Sequence, residues 1–213
     1  MGPVWVIVVA AGSASRFGRP KQYEPLGSRR VLDWSLDDAR TVADGVVLVV
    51  APEYVDTPEP AADVVVAGAA TRSGSVRAGL AAVPADAGIV LVHDGARPLA
   101  GPDLFVRVAA AVTEGVDAVV PTVAVTDTLR WRDGGPVHRD ELLAVQTPQG
   151  FRAAALRDAH AAGGEATDDV SLVEAAGGKV VVVEGSPANL KITHPDDLVV
   201  AGALLAARTD GVA

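Results

Sequence analysis

Three cations, Arg16, Arg19 and Lys21, crowd into six residues of a chain whose formal net charge is −9. They close the run Ala10-Ala11-Gly12-Ser13-Ala14-Ser15-Arg16-Phe17-Gly18-Arg19-Pro20-Lys21, which ends an apolar segment. Small residues after a buried strand let backbone N–H groups approach an anion closely, and cations beside them suit a polyphosphate. No Gly-Lys-Ser/Thr follows, so the run is not a P-loop; Ala14 and Phe17 stand where a dinucleotide fingerprint needs glycine. A solvated surface loop is the competing reading.

Lysine usage adds a second pointer. The chain has three lysines, Lys21, Lys179 and Lys191, against fifteen arginines, so a lysine marks a place that wants a compact point charge. Lys21 and Lys191 fall at loops where a ligand would lie, whereas Lys179, after Gly177-Gly178, reads as surface. The apolar run 89–93 leads into Asp94-Gly95-Ala96-Arg97-Pro98. Asp94 suits a metal or a hydroxyl and Arg97 a phosphate; an Asp–Arg pair that only fixes the loop is the alternative. His93 reads as a core histidine, and His93, His138, His160 and His194 lack metal-ligand spacing. Neither a Gly-x-Ser-x-Gly elbow nor an Asp-x-Asp triplet occurs. Asp37-Asp38, Asp168-Asp169 and Asp196-Asp197 read as first-turn helix acids. Asp168-Asp169 stays open, because Thr167 before it serves as a cap or touches a ligand.

These residues need a frame. Segments 4–10, 46–51, 63–67, 89–93, 117–121 and 179–184 are predicted strands, mostly apolar without alternation, as in a parallel sheet covered on both faces. Helical spacing predicts helices over 31–42, 72–83, 102–114, 153–161, 168–176 and 195–207. The alternation implies an α/β sandwich with ligands at the carboxyl ends of the strands. Segment 123–145 breaks the pattern. Extended on both sides of Arg132-Asp133-Gly134-Gly135-Pro136, it reads as a projecting hairpin arm or as an antiparallel edge of the same sheet.

Composition narrows the classes. At 213 residues, 49% hydrophobic and 21% charged, the chain is globular rather than disordered. Its acidity argues against nucleic acid as a partner. Without cysteine there is no disulfide, thiolate nucleophile or Cys–zinc site. No basic residue precedes the apolar start, the wrong order for an export signal, and no apolar stretch reaches bilayer length. The expectation is a soluble, cytoplasmic protein with no membrane partner.

Several blocks in order resemble the 2-C-methyl-D-erythritol 4-phosphate cytidylyltransferase family. They are Ala10-Ala11-Gly12 with Arg16 and Pro20-Lys21-Gln22; Thr71-Arg72 with Ser75-Val76; residues 92–98; Asp127-Thr128; Arg139; Gln146-Thr147-Pro148-Gln149; Thr167-Asp168; and residues 189–193. The resemblance implies a single domain over 1–213, a Rossmann-like nucleotidyltransferase sandwich, with 123–145 as a β-arm used in dimerisation. It implies that CTP loses pyrophosphate as the 4-phosphate of methylerythritol attacks its α-phosphorus. On that resemblance Arg16 and Lys21 stabilise charge at the α-phosphate, and Ala10, Ala11, Gly12, Ser13 and Ser75 line the nucleotide site. Asp94, Arg97, Thr167 and Lys191 face the alcohol phosphate, which Thr128 and Arg139 reach from the arm of a second copy in a homodimer with shared sites. Arg139 and Lys191 join Arg16 and Lys21 as the catalytic set. Magnesium, or another divalent cation, is held chiefly by the triphosphate, with Asp94 as its protein ligand. Val9 in place of a proline, a short Arg16–Lys21 spacing and Ala69-Ala70 near the base depart from the family pattern.

Rival readings differ in class. A ribitol-5-phosphate cytidylyltransferase shares the nucleotide loop, but Asp94 to Arg97 and Lys191 favour methylerythritol. A nicotinamide dehydrogenase with Asp33 on the ribose needs the absent glycine fingerprint. A non-catalytic nucleotide-binding module has no use for Arg139 and Lys191 beside the loop cations.

Overall fold

Valine-rich runs with no polar face need cover on both sides. This computed structural model, which describes residues 2–12 and 17–209, provides it. In chain order the strands are β1 (Val4–Ala10), β2 (Pro25–Leu26), β3 (Arg29–Arg30), β4 (Gly45–Val50), β5 (Val64–Ala67), β6 (Ile89–Asp94), β7 (Ala118–Ala124), β8 (Leu143–Val145), β9 (Gln149–Arg152) and β10 (Val180–Glu184). The helices are α1 (Val31–Arg40), α2 (Arg72–Ala82), α3 (Pro102–Ala111), α4 (Ala153–Ala161), α5 (Asp169–Ala175) and α6 (Pro195–Thr209).

An eight-stranded sheet runs β10-β7-β9-β6-β1-β4-β5, with β8 beside β7; β2 and β3 form a separate ribbon. β1 pairs in parallel with β4 and β6, as do β4 with β5 and β7 with β10. β9, which the sequence did not mark as a strand, lies antiparallel between β6 and β7. Gly150 in it is required by packing, since a Cβ there would sit 2.7 Å from Val108 Cγ1 of α3.

Alternation along β1 divides the core. Val6 and Val8 pack with Leu32 and Leu36 of α1 and Phe105 of α3. Ile7 faces the other way, with Val76 and Leu80 of α2 and Leu156 of α4. Each such side chain contributes about 1.5–3 kcal/mol on burial.

Helix ends follow local chemistry. Asp168, not Thr167, caps α5, its carboxylate accepting the Ser171 N–H at 3.0 Å, and Gly177 at φ 84° stops the helix. Asp197 behaves as a first-turn acid, accepting the N–H groups of Thr193 and His194 at 2.6 and 2.7 Å. Asp37-Asp38 corrects the expectation: the pair lies in the last turn of α1, where acids oppose the dipole. Asp38 is held instead by the Gly101 N–H at 2.8 Å.

Segment 123–145 is an edge at its base and an arm beyond it. β8 pairs antiparallel with β7, matching Ala124 to Leu143. Past that pairing the chain forms a hairpin in which Arg130 bridges Pro136, and Gly134 and Gly135 turn at φ 113° and 85°. Some of its apolar side chains lack cover: Trp131 is 63% exposed and Leu143 54%, while Val125, Leu129 and Val137 are half-buried. Among the described residues no helix is long and apolar enough to cross a membrane.

Candidate active site

The carboxyl ends of β1 and β6 open into a cleft of about 430 Å³. Ala10, Ala11 and Gly12 line it after β1, followed by Lys21 and Gln22. Ala69, Ala70 and Thr71 come from the loop before α2, Arg72 and Ser75 from its first turn, Asp94 and Ala96 from the end of β6 and the loop after it, and Lys191 and Thr193 from the loop before α6.

Close packing shapes one half. Gly79 lets α2 lie on the sheet, because a Cβ there would stand 2.7 Å from Ile7 Cγ2. Gly68 passes beneath the loop after β1, where a Cβ would stand 2.3 Å from the Ala11 Cβ. Thr71 caps α2 by accepting the Gly74 N–H at 3.0 Å. The Ser75 hydroxyl accepts the Ala69 N–H and donates to the Thr71 carbonyl, each at 3.0 Å, fixing the loop between them. Gln22 Nε2 donates to the Ala10 carbonyl at 2.6 Å, tying the Lys21 turn to β1.

Fixed ions shape the other half. Asp94 Oδ2 accepts from Lys191 Nζ at 2.6 Å, while Arg72 Nε lies 3.6 Å from Oδ1 and Arg97 Nε 3.9 Å from Oδ2. Burial alone would raise this carboxyl; Lys191, Arg72 and Arg97 outweigh it and hold Asp94 far below the usual carboxylate range. Arg97 donates to the carbonyls of Asn189 at 2.7 Å and Val145 at 3.4 Å. Burial pulls its guanidinium below the ordinary arginine value. His93 is a core histidine as expected. Its Nδ1 lies 3.1 Å from the Thr147 hydroxyl and its Nε2 3.2 Å from the Arg97 carbonyl, and burial pushes it down to about 4.

Of the residues singled out in the sequence, Ala10, Ala11, Gly12, Lys21, Ser75, Asp94 and Lys191 share this cleft, and Arg97 stands on Asp94. Ser13 and Arg16 lie outside the described residues. Thr128 and Arg139 do not line the cleft of their own chain; they sit on the arm, where Arg139 donates to the Thr126 carbonyl. Thr167 is exposed just before α5 and does not line it either. Arg19 departs from the three-cation reading, being 65% exposed and paired with Glu24 at 2.6 and 2.5 Å. Asp33 is engaged by Arg30, at 2.5 Å from its NH2, and does not line this cleft. Arg72 is a cleft cation that the sequence placed in a resemblance block but gave no role. Besides that block, its signal was its place as the first residue of a helix after a strand-end loop.

No cluster of three or more His, Cys, Asp or Glu suited to a metal occurs among the described residues, and Asp94 is the one carboxylate in the lining. That donor set fits a hard divalent ion that takes most of its ligands from a polyphosphate.

Known proteins share this architecture. The profile of the IspD family, 2-C-methyl-D-erythritol 4-phosphate cytidylyltransferase, matches residues 4–207. The 2-C-methyl-D-erythritol 4-phosphate cytidylyltransferase of Rhodococcus jostii is 46% identical, over 96% of this chain and 96% of its own. The bifunctional enzyme IspD/IspF of Dinoroseobacter shibae is 45% identical over 96% of this chain, which spans 54% of that enzyme. The crystal structure of 2-C-methyl-D-erythritol 4-phosphate cytidylyltransferase from Thermus thermophilus is similar at a TM-score of 0.83 and 39% identity, covering 94% of this chain and 98% of that one. Matched along nearly its whole length in sequence and in fold, the chain belongs to the 2-C-methyl-D-erythritol 4-phosphate cytidylyltransferase family of nucleotidyltransferases.

Proposed function

We propose that the cleft joins CTP to 2-C-methyl-D-erythritol 4-phosphate, giving 4-CDP-2-C-methyl-D-erythritol and pyrophosphate. The observation that carries this reading is a cleft with two lysines from separate loops, Lys21 and Lys191, one of them anchored on an ionised Asp94. His93, buried and tied at both ring nitrogens, is no base for the reaction. None is needed. The nucleophile is a phosphate already ionised at neutral pH, so catalysis reduces to positioning and charge neutralisation.

One phosphate oxygen bonds to the α-phosphorus of CTP. The bond from that phosphorus to the bridging oxygen breaks, and pyrophosphate leaves with the electron pair. In this reading Ala10, Ala11, Gly12, Ser13 and Ser75 hold the nucleotide, and Arg16 and Lys21 neutralise the α-phosphate. Lys191, Asp94, Arg97 and Thr167 take the alcohol phosphate. Thr128 and Arg139 reach it from the arm of a second copy, and the homodimer so formed covers Trp131 and Leu143. A magnesium ion, carried on the triphosphate with Asp94 as protein ligand, supplies further charge neutralisation when bound. A chain without cysteine suits a reducing cytoplasm as its place of work.

Pyrophosphate release across the four nucleoside triphosphates, with methylerythritol phosphate or ribitol 5-phosphate, tests the reading. Turnover with CTP and methylerythritol phosphate is expected. Preference for ribitol 5-phosphate, or no release with either alcohol, overturns it.

A further inference from the structure

Asp169 is a buried carboxylate that the chemistry above does not use. It opens α5 at 0% exposure. Its Oδ2 accepts from Arg72 at 2.7 Å, its Oδ1 lies 3.0 Å from His160 Nε2, and its own N–H donates to Gln149 Oε1 at 3.2 Å. A carboxylate removed from water is costly unless paired and hydrogen-bonded, and apolar side chains would fill the same volume at less cost. What the ion pair provides is a fixed guanidinium. Arg72 leaves α2 with NH1 on Asp169 and its Nε 3.6 Å from Asp94 Oδ1, inside the cleft. Asp94 in turn accepts from Lys191 at 2.6 Å.

His160 closes the chain from behind. It is 3% exposed, and among the described residues its Nδ1 has no partner. The ring is therefore held through Nε2 alone, against Asp169 Oδ1. The helices α2, α4 and α5 that carry Arg72, His160 and Asp169 pack on one face of the sheet, so the series transmits order from that layer to the strand end.

Resting on the reading above, we propose that Arg72 is the positioning residue of the alcohol-phosphate half of the site. Held by Asp169, which His160 braces in turn, it orients the Asp94 carboxylate and, through it, the Lys191 ammonium that meets the incoming phosphate. A lysine at this position keeps the charge but loses the planar fork, so it satisfies one carboxylate and not both.

The test compares Arg72→Lys, Arg72→Met, His160→Leu and His160→Gln in the full chain. Wild-type pyrophosphate release with CTP and methylerythritol phosphate tests the underlying reading; the ratio of each variant to wild type tests the positioning role. Both Arg72 variants are expected to lose about 10- to 100-fold in kcat/KM for the alcohol phosphate, while Kd for CTP by equilibrium dialysis changes less than about 3-fold. His160→Leu is expected to show the same selective loss at about 3-fold, and His160→Gln, whose amide still donates to Asp169, to recover it. An equal loss in CTP affinity would make Arg72 a nucleotide contact. Full rescue by lysine would make it a bare charge, and an unchanged kcat/KM would leave it without a role; each result overturns the proposal. If the Arg72 variants do not fold by circular dichroism, the His160 pair decides by the same selective loss, and its absence in His160→Leu overturns the proposal.

Discussion

A methyl group at Gly68 should damage the nucleotide half of the cleft without touching a charge. The Cβ of Gly68→Ala would stand 2.3 Å from the Ala11 Cβ, 2.9 Å from Ser75 Oγ and 3.3 Å from Val49 Cγ1. Apolar carbons rest about 3.5–4.0 Å apart, so roughly 1.2–1.7 Å must be recovered at Ala11. None of these neighbours is the loose end of a long side chain. The Ala11 methyl moves only with its backbone, Val49 belongs to a strand buried at every residue, and the Ser75 hydroxyl is tied to Ala69 and Thr71. The displacement therefore falls on the loop after β1, against which the triphosphate is proposed to lie. A misplacement of about 1 Å at a reacting centre costs on the order of 100-fold, or about 2.7 kcal/mol in the barrier. Overpacking separately costs about 1–3 kcal/mol of stability. Pyrophosphate release at varied CTP, with urea unfolding in parallel, reads both effects. The expected result is a loss of about 100-fold in kcat/KM for CTP in a protein still folded under assay conditions. Wild-type kinetics would refute the reasoning, because the clash would then have been absorbed without moving Ala11.

Lys21→Ala and Arg16→Ala should each lower kcat about 100-fold or more, as a charge partner of the transition state is lost; near wild-type pyrophosphate release from a folded variant would exclude that role. Asp38→Asn should stabilise the protein at neutral pH. Burial raises the Asp38 carboxyl to about 6 in the folded state, so the folded chain holds a proton that the unfolded chain, at about 3.9, has released. Wild-type stability therefore falls as pH rises through that window, and the neutral variant should be ahead by about 2 kcal/mol at pH ~7 and by little at pH ~4. Urea unfolding at the two pH values checks this, and an equal gap at both would contradict it. Mixing Arg139→Ala with Lys21→Ala under subunit exchange should restore about a quarter of wild-type activity, since one site in each mixed dimer carries neither lesion. Activity no higher than the parents' average, with exchange confirmed, would mean that each subunit uses its own Arg139.

What the sequence made legible was whatever depends on near neighbours. Runs such as 46–50 and 89–92 are apolar on both faces and announce buried parallel strands. Asp133-Gly134-Gly135 announces a turn because its glycines must adopt positive φ, as they do. β9 was invisible because Gln149-Gly150-Phe151-Arg152 has one large apolar residue; its place between β6 and β7 comes from tertiary packing of Phe151. Lys21, Asp94 and Lys191 could be found because each follows or precedes a recognisable element at the ligand end of the sheet. Arg19 misled for the converse reason. Closeness in sequence is not closeness in space, and Glu24, five residues on, takes its guanidinium. The anchoring of Arg72 was illegible because its partner, Asp169, is 97 residues away.

The two halves of the cleft are built by different physics. Where the nucleotide is proposed to lie, the protein offers small residues and tight backbone approach, at Ala10 to Gly12, Gly68 and Ser75, so this half answers to volume. Where the alcohol phosphate is proposed to bind, it offers cations whose positions are set by acids, Lys191 on Asp94 and Arg72 on Asp169, so this half answers to charge and orientation. Exposed ion pairs are worth about 0–1 kcal/mol and a buried one is no better than apolar packing, so stability does not explain why these acids stand where they do. Placement does. In a chain of net charge −9 an unanchored lysine would have many acids to visit, and a carboxylate fixed beside it keeps the ammonium at the strand end where a phosphate must arrive. The same acidity that argues against nucleic acid as a ligand therefore supplies the anchors for the proposed phosphate site.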